Sequence, residues 1–342
     1  MSRSKQKRMI VVRLSALGDV AMTIPPLYSL AKAYPHLRIT MVTRPFFSRL
    51  FINCPENIDL FPVDFRSEYK GASGMWRLMR RLSALRPDYL ADLHNVMRTW
   101  QIDAWMKLRG VKVAMVNKNR RARRRLFTHK ESQPNYIDRY ADVFARLGYP
   151  IKLTFRSLYQ DTPAQPPIIP DSPAVGVAPF ARYYNKTYPP EMTRRVVEIL
   201  CSRGISVYLF GGRGEEENEL SDWAAEIKGA SCVAGKFPID QEIALMSRMD
   251  VMVSMDSANQ HLASLAGTRV VSIWGSTTPA CGFMAYGQPQ SSAIVIGADC
   301  QPCSVAGKPT CPLGHLDCLC RISPEQIAGH VMNLINETSD VQ

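Results

Sequence analysis

A chain of 342 residues is long for one hydrophobic core and predicts two domains of ordinary size. A hydrophobic content of 46% excludes a largely disordered protein, and no apolar run approaches the roughly eighteen residues that a membrane-spanning helix needs. The net charge of +12 indicates an acidic partner, which nucleic acid, an anionic membrane or a phosphorylated glycolipid would equally supply. The N-terminal apolar run is too short for a secretory leader, so we expect a cytoplasmic protein.

The first half of the chain alternates short apolar stretches with amphipathic ones, which is the pattern of a doubly wound parallel sheet. Strands are predicted at residues 9–14, 38–43, 58–64, 89–93 and 112–116. Helices are predicted at residues 20–34, 45–54, 75–85, 98–108 and 136–147. Two basic clusters interrupt this half, at residues 77–86 and 118–130.

Residues 161–173 contain five prolines and no periodicity, so we predict an interdomain linker there. The same alternation then restarts. Strands are predicted at residues 175–178, 205–210, 231–233, 251–255 and 270–274. Helices are predicted at residues 191–202, 215–227 and 241–249, from about residue 259, and at 324–335. The two halves therefore predict two sheet domains of the same class.

Ligands of open parallel sheets bind at the carboxyl ends of strands, and four such ends carry polar or glycine-rich turns. These are residues 15–19, 179–189, 211–217 and 256–258. Asp256 could cap the helix that follows it, or the amides of that helix could bind a phosphate. Each turn could also be an ordinary helix start. The first lacks the G-x-G-x-x-G spacing, which argues against a dehydrogenase.

Taken in order, these turns resemble glycosyltransferase family 9, the ADP-heptose:lipopolysaccharide heptosyltransferases. The resemblance covers nearly the whole chain and rests on VRLSALGDVAMTIPPLYSL, on the loop reaching Lys186-Thr187-Tyr188-Pro189, and on SMDSANQHLASLAG with SIWGSTTP. It implies an α/β fold of the GT-B class, in which two Rossmann-like doubly wound parallel-sheet domains face a cleft. Residues 1–160 would bind the acceptor, residues 174–323 the nucleotide sugar, and a final helix at 324–342 would cross back toward the first domain.

The resemblance implies an inverting transfer of heptose from ADP-heptose to a lipopolysaccharide inner-core acceptor (Kdo/heptose-lipid A), without a cofactor and without a catalytic metal. Asp19 matches the family's general base, and Lys186 matches the lysine that holds the donor phosphates. The donor-binding positions are Arg182, Glu215 (with Glu216 as an alternative), Phe237, Asp256, Ser257, Ala258 and His261. Phe237 could instead be a core aromatic.

The chain departs from the family's pattern at the phosphate turn, where Asp-Ser-Ala replaces Asp-Thr-Gly. Because alanine does not adopt positive φ as readily as glycine, we expect a slightly different backbone at Ala258. In the loop before Lys186, Arg182 would replace hydroxyl contacts that the family usually makes. These departures leave three alternative functions open. The protein could be a family member that uses another sugar nucleotide, a sugar-nucleotide isomerase, or a non-catalytic glycan- or nucleotide-binding protein.

The basic clusters fit the acceptor implied by the resemblance. Arg120, Arg121 and Arg124 would hold its acidic sugars and phosphates, and the clusters would draw the enzyme to the cytoplasmic face of the inner membrane. Nucleic acid is not favoured, because no aromatic-interleaved motif accompanies the arginines. Five cysteines crowd the C-terminal region and could bind a structural zinc or remain free thiols. They are Cys300, Cys303, Cys311, Cys318 and Cys320.

Overall fold

The computed structural model describes residues 6–339, apart from the side chains of Arg120, Thr338 and Ser339. It divides into two compact units. The first comprises the described residues up to Asn119 together with Tyr136–Phe155, and the second comprises Arg120–Asn135 together with the described residues from Arg156 onward.

The first unit is built on a parallel sheet. Its strands are β1 (Arg8–Val12), β2 (Arg38–Thr43), β3 (Ile58–Pro62), β4 (Tyr89–Asp92) and β5 (Lys112–Met115). They pair in the order β3-β2-β1-β4-β5. The helices in this part of the chain are α1 (Leu17–Ala21), α2 (Ile24–Ala33), α3 (Pro45–Ser48), α4 (Gly71–Ala84), α5 (Met97–Leu108), α6 (Arg120–His129) and α7 (Tyr136–Arg146). Leu78 and Leu82 of α4 and Ile102 and Met106 of α5 join the strand side chains in one core.

The second unit repeats this architecture. Its strands are β6 (Ala174–Ala178), β7 (Ser206–Leu209), β8 (Ala230–Cys232), β9 (Val251–Met255), β10 (Arg269–Ile273) and β11 (Ala293–Ile294). They pair in parallel in the order β11-β10-β9-β6-β7-β8. Its further helices are α8 (Pro190–Ser202), α9 (Glu215–Glu226), α10 (Ile239–Met246), α11 (Ala258–Ala266), α12 (Asp317–Cys320) and α13 (Pro324–Ser339). The predicted pair of parallel-sheet α/β domains is confirmed.

Each sheet has a point where the strand order reverses. In the first unit β1 leads to β2 on one side and has β4 on the other, and in the second unit β6 has β7 on one side and β9 on the other. The loops that leave two neighbouring strands in opposite directions open a crevice at such a point, and ligands of these folds bind there. We therefore expect a ligand-binding site at the turns after β1 and β4 in the first unit and at those after β6 and β9 in the second.

Several predicted elements differ from the structure in extent. The helix predicted at residues 20–34 is two helices, because Pro25 and Pro26 have no amide hydrogen to continue α1 and instead begin α2. The helix predicted at residues 45–54 ends at Ser48. The basic stretch at 118–130, for which no element was predicted, contains helix α6.

The two compact units differ in extent from the predicted domains at residues 1–160 and 174–323 with a linker at 161–173. The chain passes to the second unit at Arg156, since Leu158 N donates to Leu265 O (2.8 Å) and so ties the region before the prolines to α11. The segment Arg120–Asn135 also belongs to the second unit. Gln133 N donates to Ala280 O (2.8 Å), and Lys130 Nζ donates to Asp299 O (2.9 Å).

The last helix, α13, packs against α8, β9 and β10 of the second unit. Arg269 strengthens this packing through a hydrogen bond from its guanidinium to the carbonyl of Leu334. The crossing of this helix toward the first unit stays a prediction. Within residues 6–339, no helix has both the length and the apolar character that crossing a membrane requires.

Candidate active site

Asp19 lies at the reversal point of the first sheet, in the first turn of α1, the short helix that follows β1. Its Oδ2 accepts a hydrogen bond from Ala16 N (3.0 Å) and forms an ion pair with Arg13 Nη2 (2.7 Å). Arg13 is buried at the end of β1, where its Nη1 also donates to Leu93 O (2.7 Å). Within the described residues, both contacts of the Asp19 carboxylate are made by Oδ2, which fixes its orientation and leaves Oδ1 for an incoming hydroxyl.

His94 completes this end of the sheet from the neighbouring strand β4. Its Nε2 is 3.4 Å from Ser15 Oγ, and its buried Nδ1 has no hydrogen-bond partner within the described chain. Burial, followed by the charges of Arg13 and Lys118, lowers the pKa of His94 to about 3. The imidazole is therefore neutral near pH 7, and it can accept or donate a hydrogen bond to a sugar hydroxyl without adding charge.

A pair of buried carboxyl groups, those of Asp92 and Asp103, lies behind the loop that carries His94. Asp92 Oδ1 accepts hydrogen bonds from the backbone nitrogens of His94 (2.8 Å) and Asn95 (2.9 Å). Asp103 of α5 is also buried, and this burial together with the neighbouring Asp92 raises the pKa of its carboxyl group well above its usual range. The pair thus holds a proton that an isolated aspartate would have lost.

This raised pKa predicts a specific effect of replacing Asp103 with asparagine. Because the folded chain holds the proton more tightly than the unfolded chain, the contribution of Asp103 to stability is present at acid pH and is lost as pH rises through the raised pKa. At about pH 9 the free energy of unfolding of D103N, measured by urea denaturation, should therefore exceed that of the parent by about 2 kcal/mol. Near pH 4 the two free energies should be similar. The exposed Asp142 provides the control as D142N, for which an equal alkaline gain would contradict the assignment.

At the reversal point of the second sheet, Lys186 and Asp256 form a shielded ion pair. Lys186 closes a short 3₁₀ turn (Tyr184–Lys186) after β6, and Asp256 directly follows β9. The Lys186 ammonium is 2.7 Å from Asp256 Oδ2, with side chains only 13% and 5% exposed. Thr277 Oγ1 donates to the same oxygen (2.6 Å), and Gln260 Nε2 donates to Oδ1 (3.0 Å). Both oxygens of the Asp256 carboxylate are therefore occupied.

Of the two alternatives for this turn, capping by Asp256 is not the one that the structure shows, because both carboxylate oxygens bind side chains. Helix α11 begins at Ala258, and the side chain of Ser257, its N-cap residue, makes no capping hydrogen bond. Its N-terminal N–H groups and the positive end of its dipole are consequently open to an anion. Ala258 is not among the residues with positive φ, so this turn does not require glycine there, and the expected difference from the family's backbone stays a prediction.

The loop that carries Lys186 is fixed by a buried network. Asn185 Oδ1 accepts hydrogen bonds from Ser276 Oγ (2.9 Å) and Lys308 N (2.8 Å). Gln301 Nε2 donates to the carbonyl of Gly275 (2.7 Å), which holds the segment that contributes Thr277. Glycine is required at 275, because a Cβ there would lie 2.6 Å from Asn185 O. These contacts bring the loops after β6 and β10 together around Asp256.

The other predicted donor residues surround this end of the sheet with differing exposure. Glu215 is the exposed first residue of α9, whereas the alternative, Glu216, already accepts a hydrogen bond from Gly212 N (2.6 Å). Arg182 is exposed, with its guanidinium 5.4 Å from the ring centroid of Tyr183. Phe237 is half-buried just before α10 and is not a core aromatic, and His261 is buried within α11.

The predicted acceptor arginines lie on α6, in the second unit rather than the first. Arg121 and Arg124 are exposed there, and the side chain of Arg120 lies outside the described residues. They therefore do not belong to the unit that was predicted to bind the acceptor, and their contact with the acceptor stays a prediction. Contacts of Lys130 and Gln133 connect the end of α6 to the second unit, although both residues are far along the chain from their partners Asp299 and Ala280.

The cysteines clustered in the C-terminal region are not arranged as a metal-binding site within the described residues. No group of three or more histidine, cysteine or acidic side chains within residues 6–339 is placed to hold a metal ion, and the cysteines are free thiols. Burial raises the pKa of the Cys318 thiol to about 12, and nearby Cys300 adds to the rise. Such a thiol is protonated and unreactive near pH 7.

Sequence reasoning missed the residues that support the predicted ones. Signals existed for some of them. Gln260 lies four residues after Asp256, which is one helical turn, and Thr277 follows the end of β10. Arg13 is an unusual charge at the end of a buried strand. His94 follows β4 in the same way that Asp19 follows β1, but its proximity to Ser15 depends on strand order, which the sequence did not reveal.

Comparison with known proteins identifies the family. Residues 75–313, more than half of the chain, match the family model described as glycosyltransferase family 9 (heptosyltransferase). The chain belongs to glycosyltransferase family 9. Lipopolysaccharide heptosyltransferase 1 of Pseudomonas aeruginosa is 24% identical over 94% of this chain and 96% of its own length. As a member of this family the protein is a glycosyltransferase.

Solved structures of the family share the fold. A family 9 glycosyl transferase from Veillonella parvula superposes with a TM-score of 0.73 at 20% identity, over 98% of this chain and 99% of its own. E. coli heptosyltransferase WaaC, solved with ADP-2-deoxy-2-fluoro heptose, superposes with a TM-score of 0.66 at 16% identity, over 97% of this chain and 99% of its own. The predicted GT-B fold class and the predicted family are both confirmed.

Proposed function

We propose that this protein transfers heptose from ADP-heptose to a lipopolysaccharide inner-core acceptor of the Kdo/heptose-lipid A type, with inversion at the anomeric carbon. The observation that supports the proposal is the set of functional groups that lie at the reversal points of the two sheets. One presents an oriented carboxylate with an open oxygen, and the other presents a shielded lysine beside an uncapped helix. These are the groups needed to activate a hydroxyl and to stabilise a departing diphosphate.

Asp19 would act as the general base on the acceptor side. Its Oδ1 takes the proton from the acceptor hydroxyl as that oxygen attacks the anomeric carbon of the donor. Arg13 and the amide of Ala16 keep Oδ2 in place, so the carboxylate does not have to reorganise when the substrate arrives. The neutral imidazole of His94 is available to hold a neighbouring hydroxyl of the same sugar.

Lys186 would act on the donor side together with the N-terminus of α11. The diphosphate binds the hydroxyl of Ser257 and the amide of Ala258, and the Lys186 ammonium neutralises the charge that develops on the departing ADP. Asp256 does not touch the phosphates in this proposal, because two negative groups would repel each other. It positions Lys186 instead. No metal is needed, since the lysine and the helix dipole supply the positive charge.

Recognition of the nucleoside would use the remaining donor residues. Glu215 has an exposed carboxylate that can accept hydrogen bonds from both ribose hydroxyls, and half-buried Phe237 can pack on the adenine. His261 would support the phosphate turn from α11, and exposed Arg182 would contact the diphosphate or the heptose. Arg120, Arg121 and Arg124 remain candidates for contacts with the acidic acceptor, from their position in the second unit.

Because the proposed acceptor carries a lipid, the proposed reaction would take place at a membrane surface. The protein would act as a peripheral enzyme at the cytoplasmic face of the inner membrane, drawn there by its net charge of +12. Nucleic acid is not among the proposed partners.

Thermal unfolding in the presence of nucleoside diphosphates tests the donor. Because only the folded protein binds the nucleotide, ADP at about a hundred times its Kd should stabilise the protein by about 2.7 kcal/mol and raise Tm by a few degrees. UDP, GDP and CDP should give little shift at the same concentration. A larger shift with UDP or GDP than with ADP would keep the glycosyltransferase but overturn ADP-heptose as its donor.

A further inference from the structure

The edge of the first sheet that carries Asp19 also exposes large apolar side chains. Met97, the first residue of α5, is 75% exposed, and Phe46 in α3 is 54% exposed. Trp100, also exposed, donates from its indole nitrogen to Asn95 Oδ1 (2.7 Å), which places its ring against the loop that carries His94. These residues follow β2 and β4, the two strands that flank β1. They therefore surround the carboxyl end at which Asp19 lies.

Arginines accompany the apolar side chains at the same strand ends. Arg44 directly follows β2, Arg66 lies in the loop after β3, and Arg98 is the second residue of α5, and all three are exposed. The Arg98 guanidinium is 4.4 Å from the Phe65 ring centroid, which joins the start of α5 to the loop after β3. Among the described residues none of these three arginines forms an ion pair, although Asp64 lies close enough to Arg66 to interact with its charge.

The acids in the loop after β3 are also engaged within the unit. Asp64 accepts hydrogen bonds from Arg66 N (2.8 Å) and Ser67 Oγ (2.6 Å). Glu68 forms an ion pair with Arg81 of α4. The face formed by Phe46, Met97, Trp100, Arg44, Arg66 and Arg98, which we term the carboxyl-edge face, is thus both apolar and positively charged.

We propose that the carboxyl-edge face rests on an anionic lipid surface, with its apolar side chains among the headgroups and its arginines on lipid phosphates. An exposed apolar patch with aromatic residues and surrounding cations is suited to such an interface, where each contributes to binding. The inference rests on the proposed function, in which the acceptor is a glycolipid. The acceptor sugar, projecting from the membrane, would then approach Asp19 at the edge that faces it.

Vesicle binding by matched variants tests this face. Phe46→Glu and Met97→Glu place an acid at exposed positions of α3 and α5, on residues that have no assigned part in the proposed transfer. Leu108→Glu is the control, since Leu108 is 87% exposed and lies at the opposite end of the same helix as Met97. Cosedimentation would use vesicles of phosphatidylcholine with and without phosphatidylglycerol. Transfer to a water-soluble, deacylated acceptor would be measured in parallel.

The unmodified protein should sediment with the anionic vesicles and not with pure phosphatidylcholine. F46E and M97E should each reduce that binding by about fivefold or more, while L108E leaves it unchanged. Transfer to the deacylated acceptor and Tm should be preserved in all three variants. Equal losses in L108E and M97E, or no vesicle binding by the parent, would overturn the carboxyl-edge face. Absence of transfer to the deacylated acceptor by the parent would instead overturn the proposed function.

Discussion

Replacing Lys186 with alanine is expected to reduce kcat/KM for heptose transfer by about a thousandfold and to destabilise the fold at the same time. The catalytic loss follows because the variant lacks the cation that would neutralise the leaving diphosphate. The loss of stability, about 3 kcal/mol, follows because Asp256 is only 5% exposed and would lose its charged partner. Steady-state kinetics and urea unfolding measure the two effects separately.

A second substitution separates these two roles of Lys186. In a protein carrying Lys186→Met together with Asp256→Asn, no buried charge is left unpaired, and the asparagine oxygen can still accept from Thr277. Stability should recover toward the parent value while transfer stays abolished. Lys308→Ala is the control, because Lys308 is an exposed lysine in the adjacent loop. Recovery of transfer in the double variant would contradict the role assigned to Lys186.

The fold could be predicted from the sequence where the signals are local. The strand predicted at residues 251–255 is β9, because five buried residues in a row suit a parallel strand that is covered on both faces. The following helix starts one residue earlier than predicted, at Ala258. An equally local signal was missed in the helix predicted at residues 20–34, because Pro25 and Pro26 lie in the first turn of α2 and a preceding helix has to end before them.

The site was predictable as a set of positions but not as a set of contacts. Asp19, Lys186 and Asp256 follow strands, so the sequence placed each at a carboxyl edge. That Asp256 binds Lys186 rather than capping α11 depends on β6 and β9 being neighbours, which the order of strands along the chain does not reveal. The unit membership of α6 is a similar case, since charge patterning contains no information about the partner of Gln133.

Replacing Asp19 should have the second large effect, because a general base contributes roughly a hundredfold to ten-thousandfold to a rate. Asp19→Asn keeps an oxygen for the amide of Ala16 but cannot take a proton, so kcat for transfer should fall by about a thousandfold. The ADP-induced rise in Tm should be unchanged, since no donor residue is altered. Asp142→Asn, an exposed acid in the same unit, should leave both quantities at the parent values.

Chemical rescue distinguishes a base from a residue that only holds Arg13. In Asp19→Ala the space of the carboxylate is open, and added formate can enter it and accept the proton. Transfer by this variant should rise with formate concentration, whereas chloride at equal ionic strength should have no effect. An anion that only paired with Arg13 would rescue transfer whatever its basicity, so nitrate, a planar anion of similar size and far weaker basicity, would then restore as much transfer as formate does. Rescue by formate but not by nitrate therefore assigns proton removal to the carboxylate of Asp19.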